Sequence, residues 1–179
     1  MSGPWYESQK NLIQEHLVSF RESAPGEPEY TVKSESILTV LALLKGTSGG
    51  SYEHLADLTA YDAHPAKPRF HVVYELISMI QKKRCAVIAP LMDDANPQIQ
   101  TATNLWAGAN WLEREVFDMF GIQFVGHPDL RRILLPTAFQ GFPLRKDFTV
   151  DYRQQFPKGT GDKGIFDPFG NTIVKVEGP

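Results

Sequence analysis

Glu113, Glu115 and Asp118 are the residues whose type and spacing first suggest chemistry, since neighbouring carboxylates can relay a proton or hold a hard cation. On a helix, however, positions two, three and five residues apart do not all converge on one point. Arg114 stands among them with Asp118 four residues on, the spacing of an ion pair. No histidine lies near in sequence to complete a metal or acid/base set. The favoured role is pairing with Arg131, Arg132, Arg145 and Lys146, either within the chain or across a subunit boundary.

Other constellations carry less. His54, Asp57, Asp62 and His64 are expected near one strand end, but they lack HExxH spacing and read as exposed side chains. Gly159-Thr160-Gly161-Asp162-Lys163-Gly164 satisfies the GxGxxG spacing of dinucleotide sites. That motif needs a buried strand before it and a helix after it, whereas Gln155-Phe156-Pro157-Lys158 precedes and Pro168 and Gly170 follow, so it reads as a turn. No serine occupies a G-x-S-x-G context. The single cysteine, Cys85, cannot furnish an iron-sulfur cluster, a thiolate-rich zinc site or an internal disulfide, and within Cys85-Ala86-Val87-Ile88-Ala89 it reads as a small buried hydrophobe. The formal net charge of -3 argues against a phosphate-backbone binder, so Trp5, Trp106 and Trp111 read as core or interface anchors rather than base-stacking platforms.

The elements that must position these residues follow from periodicity. With 179 residues and 42% hydrophobic content, one core of ordinary size and an appended segment are expected. Pro4 at a first turn and the spacing of Ile13, Leu17 and Phe20 predict a helix over residues 4–22, closed by Ala24-Pro25-Gly26-Glu27-Pro28. Ser34 as cap, with Val32 and Leu38 as a hydrophobic staple, predicts a second helix ending at Gly46. Alternation predicts strands over residues 52–61, 69–76 and 84–91, joined by short connections that favour antiparallel neighbours. Asn96-Pro97 predicts a helix with Ile99, Ala102, Leu105 or Trp106, and Ala109 on one side. Asn110 and Glu113 form a fresh capping pair for a further helix ending at Gly121 in a left-handed cap. These elements predict an α+β fold: a two-layer domain with helices packed on a mainly antiparallel sheet, over residues 1–121, followed by an extended docking segment and C-terminal arm over 122–179. No run approaches the roughly 18 apolar residues of a spanning helix and no signal-peptide pattern opens the chain, which predicts a soluble protein that meets membrane only through partners.

Residues 111–148 stand apart, because acidic clusters, aromatics and paired basics alternate there around glycine and proline turns as on a docking surface. Glu113-Arg114-Glu115, Asp118-Met119-Phe120-Gly121-Ile122, Gly126-His127-Pro128-Asp129-Leu130-Arg131-Arg132-Ile133-Leu134 and Pro143-Leu144-Arg145-Lys146-Asp147-Phe148 closely resemble the pattern of one family. It is the 30-kDa-type subunit of the hydrophilic arm of respiratory complex I, the proton-pumping NADH:quinone oxidoreductase. The stretches 55–62, 69–76 and 106–111 fit the family's spacing as well; Phe117 departs from it where tyrosine is expected, and the chain after Phe148 matches no pattern.

The resemblance implies a non-redox scaffold in the hydrophilic arm, a non-catalytic subunit of the translocase. It implies partners in the D (quinone-site), B and I subunits of the complex. FMN and iron-sulfur clusters would lie in other chains and quinone at the junction of the B and D subunits, with no cofactor or metal in this one. The implied location is the cytoplasmic face of the bacterial inner membrane, or the matrix side if mitochondrial. The interface residues it implies are Glu113, Arg114, Glu115, Asp118, Phe120, His127, Pro128, Arg131, Arg132, Pro143, Leu144, Arg145, Lys146, Asp147 and Phe148. Two other readings stand beside it: the equivalent subunit of a membrane-bound hydrogenase or ferredoxin-linked relative, and an independent enzyme with a carboxylate centre at Glu113.

Overall fold

The structure, a computed structural model, describes residues 5–46, 52–137 and 139–149. The arm predicted over 151–179 and the GxGxxG turn lie outside the described residues.

The predicted strands form a meander of β3 (His54–Asp62), β4 (Phe70–Ser78) and β5 (Lys83–Leu91), antiparallel as short connections require. Alternation decides the faces: Phe70, Val72, Tyr74 and Leu76 of β4 are buried with Val87, Ala89 and Leu91 of β5. Cys85 lies in β5 and is buried, as its apolar neighbours predict.

The first predicted helix is corrected. Only α1 (Glu7–Leu12) and one 3-10 turn at Gln14–His16 are helical; Leu17–Ala24 is β1, hairpinned through Gly26 to β2 (Glu27–Val32). Gly26 supplies the positive φ of 80° that the tight turn needs. β2 then pairs in parallel with β5, Tyr30 opposite Val87, which gives a mixed, mainly antiparallel sheet in the order β1-β2-β5-β4-β3.

The helix α2 (Ile37–Gly46) ends where predicted and buries Ile37, Val40, Leu41 and Leu44, the stripe of a helix lying on a sheet. Ser34 makes no cap; it opens a 3-10 turn over Ser34–Ser36 instead. The helix predicted from Asn96 is also corrected. Gln98–Gln100 is β6, and turns closed by Leu105 N–H and Trp106 N–H on Ala102 O lead into α3 (Ala109–Phe120). The predicted cap by Asn110 is not made: the cap position is Gly108, with no side-chain bond. The other end is as predicted, with Gly121 left-handed at φ 73° and its N–H donating to Phe117 O at 2.8 Å. α3 is the crossover between β6 and β7 (Gln123–Val125), a parallel pair with Ile99 opposite Phe124. One core unites the sheet with α2, α3, β6 and β7.

Candidate functional site

The charged residues of α3 are turned into the molecule. Glu113, with no exposed surface, accepts from Thr101 Oγ1 at 2.5 Å and from Ala102 N at 2.6 Å, and so braces the chain where β6 ends. Burial raises its pKa to about 7, against the opposing effect of those two bonds. One turn and a fraction later, Asp118 is equally sealed. Its Oδ2 accepts from three successive amides, Ile133, Leu134 and Leu135, at 3.0, 2.8 and 2.8 Å, while Oδ1 takes Arg132 Nη1 at 2.7 Å. A carboxylate so surrounded has lost its water and regained as many donors, which fixes the Arg132–Leu135 loop against α3.

The i,i+4 pair expected between Arg114 and Asp118 is not made. Arg114 Nε and Nη2 donate to the carbonyls of Arg131 and Arg132 at 3.1 and 3.3 Å, and its guanidinium lies 5.2 Å from the Trp111 ring centre. Carbonyls on the facing loop saturate its planar fork better than an intrahelical carboxylate does. Of the pairings expected with downstream basics, Asp118–Arg132 forms; Arg131 instead holds Asp129, at 2.6 and 2.7 Å. His127 is locked by its own loop: Nδ1 accepts from Asp129 N at 2.9 Å and Nε2 donates to Asn110 O at 3.2 Å, which selects the Nε2–H tautomer.

Beyond Gly121 the chain returns over the sheet through alternating cations and rings. Arg69 lies 4.8 Å from Phe70; Arg145 lies 4.9 Å from Phe70 and 4.6 Å from Phe142; Arg132 lies 5.3 Å from Phe142 and 5.9 Å from Phe139. Phe148 stacks on Phe139 at 6.0 Å, and Phe117 meets Phe142 edge-on at 6.5 Å, an apolar contact at the position where tyrosine is expected. A bidentate clasp ties this ladder down. Arg69 holds Asp62 at 2.9 and 2.7 Å and Asp147 at 2.9 and 2.7 Å, and Lys146 N donates to Asp62 at 2.8 Å. Burial alone would raise the Asp62 pKa, but Arg69 and the amides of Lys146 and His64 hold it far below the usual carboxylate range.

The sequence-predicted residues therefore divide. Glu113, Arg114, Asp118 and Phe120 are buried by their own chain; His127, Arg132, Pro143, Arg145 and Phe148 are half-buried; Glu115, Pro128, Arg131, Leu144, Lys146 and Asp147 are exposed. Trp111 is 62% exposed, and Leu134 and Leu144 also stand open to solvent. Trp106, by contrast, is a core anchor whose Nε1 donates to Glu53 O at 3.0 Å. The expectation that His54 and Asp62 share a strand end is corrected, because they close opposite ends of the nine-residue β3. Among the described residues, no group of three or more His, Cys, Asp or Glu side chains is placed to hold a metal, and no helix is long and apolar enough to cross a membrane. Sequence reasoning missed Arg69 and Thr101 as parts of the frame; their partners Asp62, Asp147 and Glu113 lie on other elements, and no helical or strand spacing announces such contacts.

The family described as respiratory-chain NADH dehydrogenase, 30 Kd subunit, matches residues 30–154. The NADH-quinone oxidoreductase C subunit of Citrifermentans bemidjiense is 49% identical over 125 residues, spanning 70% of this chain and 76% of its own. The C 2 subunit of the NADH-quinone oxidoreductase of Rhizobium meliloti is 39% identical over 157 residues, spanning 88% and 78% respectively. Among solved structures, the trypsin-resistant fragment (1-134) of Nqo5 matches with a TM-score of 0.55 at 31% identity, covering 69% of this chain and 95% of the fragment. A chain of the membrane-bound sulfane sulfur reductase, an archaeal respiratory membrane complex, shares the fold with a TM-score of 0.68 at 21% identity, covering 80% and 85%. With the match running from β2 through the whole frame around Asp118 and Arg69, the chain belongs to the 30 Kd subunit family of the respiratory-chain NADH dehydrogenase.

Proposed function

We propose that this chain is a non-redox scaffold of the hydrophilic arm of a proton-translocating NADH:quinone oxidoreductase, placed on the cytoplasmic face of the membrane or its mitochondrial equivalent. In this reading FMN, the iron-sulfur clusters and quinone are held by other subunits, and the chain docks on the D (quinone-site), B and I subunits. The chain from residue 122 on supplies most of the docking surface, although its first strand, β7, and Ile122 belong to the core. The observation that carries this is a division of labour within one run. Glu113, Arg114 and Asp118 lock the loops from inside, while Trp111, Leu134 and Leu144 stand more than half exposed and Lys146 has no ion-pair partner among the described residues. A rigid frame that leaves a tryptophan and two leucines exposed offers a partner an aromatic anchor with apolar surface around it. Identities of 49% and 39% to NADH-quinone oxidoreductase chains favour NADH as the complex's donor over a hydrogenase or ferredoxin system.

The test is affinity purification of the tagged full chain from solubilised membranes, with the co-purifying chains identified by mass spectrometry. Recovery of the flavin- and cluster-bearing subunits, and loss of membrane NADH:quinone activity on deletion of the chain, are the expected results. Recovery of the chain alone, with activity intact in the deletion strain, would overturn the reading.

A further inference from the structure

Seven arginines lie among the described residues, and their counter-charges separate them. Arg21, Arg69, Arg84, Arg131 and Arg132 each hold a carboxylate of this chain. Arg114 lies on two carbonyls. Arg145 is different. It is half-buried between the Phe70 and Phe142 rings, its Nε donates to Phe120 O at 2.6 Å, and no carboxylate of the described residues lies at ion-pair distance. Next to it, the exposed Lys146 ammonium has no carboxylate among the described residues either.

The nearby acids are already engaged, since Asp62 and Asp147 both clamp Arg69. Three cations (Arg69, Arg145, Lys146) against two acids (Asp62, Asp147) leave an excess of one positive charge. Burial, reinforced by the neighbouring Arg69 charge, lowers the Arg145 pKa. The guanidinium is nevertheless held in place: at Gly121, φ 73°, a Cβ would come within 2.8 Å of Arg145 Nη2 and 2.5 Å of the Phe142 ring, so only glycine lets the arginine lie there. Beside it Leu144 is 53% exposed.

Resting on the reading of the chain as a docking subunit, we propose that Arg145 and Lys146, with Leu144 beside them, receive an Asp or Glu side chain carried on an apolar segment of another subunit of the complex. One carboxylate cancels the excess charge, and its planar oxygens suit a guanidinium fork. The exposed leucine favours a protein segment over a hydrated phosphate.

Zero-length carbodiimide coupling of the intact purified complex, followed by peptide mass spectrometry, tests this without any variant. The expected product joins Lys146 to an Asp or Glu of another subunit. In competition with the wild-type chain, Arg145→Gln should enter the complex about thirtyfold or more less well, because it leaves the partner acid buried and unpaired. Lys146→Gln should abolish the coupling and weaken incorporation while leaving the melting temperature of the isolated full chain unchanged, which separates docking from folding. A complete complex in which Lys146 couples only within its own chain, to a phosphate-bearing lipid or to nothing, or in which both variants compete equally with wild type, overturns the inference alone. A chain that purifies without other subunits removes the functional reading, and this inference with it.

Discussion

Two acids on the same helix, α3, are buried with different sets of donors. Asp118 exchanges water for three amides and a guanidinium. Glu113 has a hydroxyl and one amide, and burial outweighs them, raising its pKa from 4.5 to about 7. The phenol of Tyr74, on β4, shares this interior, has no hydrogen-bond partner among the described residues and is itself pushed upward, first by burial and then by the Glu113 charge. The folded chain therefore holds a proton that the unfolded chain releases. Stability is fully present below pH 4.5 and is lost as pH rises through about 7, by about 3 kcal/mol over the window. Urea titrations of the isolated chain at stepped pH should show that decline, and Glu113→Gln should flatten it; an unchanged slope in the variant would assign the effect elsewhere. Asp118→Ala should instead cost roughly 3–5 kcal/mol at neutral pH, since it strands Arg132 and three amides, and thermal melts measure it directly. The sequence announces a charged cluster here but suggests the wrong partners. The i,i+4 rule ranks Arg114 with Asp118, and only the tertiary approach of the Arg131–Leu135 loop brings better donors and acceptors to each.

At the scale of elements, what is legible is what repeats cleanly. Phe70 to Leu76 alternate, and β4 is where they place it; α2 also forms and ends at Gly46, although the Ser34 cap that predicts it is not made. β1 reads as helix for a physical reason. Its pairing with β2 slips between Leu17 and Ser19 and again between Glu22 and Ala24, and each bulge adds one residue to the repeat. Alternation thus becomes a three-residue spacing, which puts Leu17 and Phe20 where a helix would. Likewise Ile99, Ala102, Trp106 and Ala109 are all buried as the predicted helix requires, but from a three-residue strand and a string of turns. Gly121, by contrast, is where its cap pattern puts it, and it carries a test. Alanine there meets both the left-handed backbone and the Phe142 ring, so Gly121→Ala should cost at least about 1–2 kcal/mol and loosen residues 142–148. At Gly46 nothing among the described residues lies within 4 Å of the added carbon, so Gly46→Ala should be neutral or stabilising by up to ~1 kcal/mol. Hydrogen exchange at the Leu144 and Arg145 amides, bonded to Met119 O and Phe142 O, should rise only in the first variant.

For the molecule as a whole, the question is which stability belongs to the chain and which to the assembly, and two tryptophans five residues apart separate the two. Trp106 is 8% exposed, part of the core, and hydrogen-bonded to Glu53 O; Trp111 is 62% exposed and touches its own chain through Arg114. Trp106→Ser should remove a large buried side chain and cost about 3–5 kcal/mol of folding free energy. Trp111→Ser removes a ring that is mostly in water and one cation–π contact to Arg114, so the isolated chain should melt within about 1 kcal/mol of wild type. If Trp111 fills a pocket on a neighbouring subunit, the same change should weaken incorporation by about 2 kcal/mol or more, roughly thirtyfold. Paired melting curves and co-purification yields for the two variants give the answer. A Trp111→Ser chain that assembles at wild-type yield would place the interface elsewhere on the surface, for instance at Met79 and Ile80, which are 70% and 81% exposed at the tip between β4 and β5.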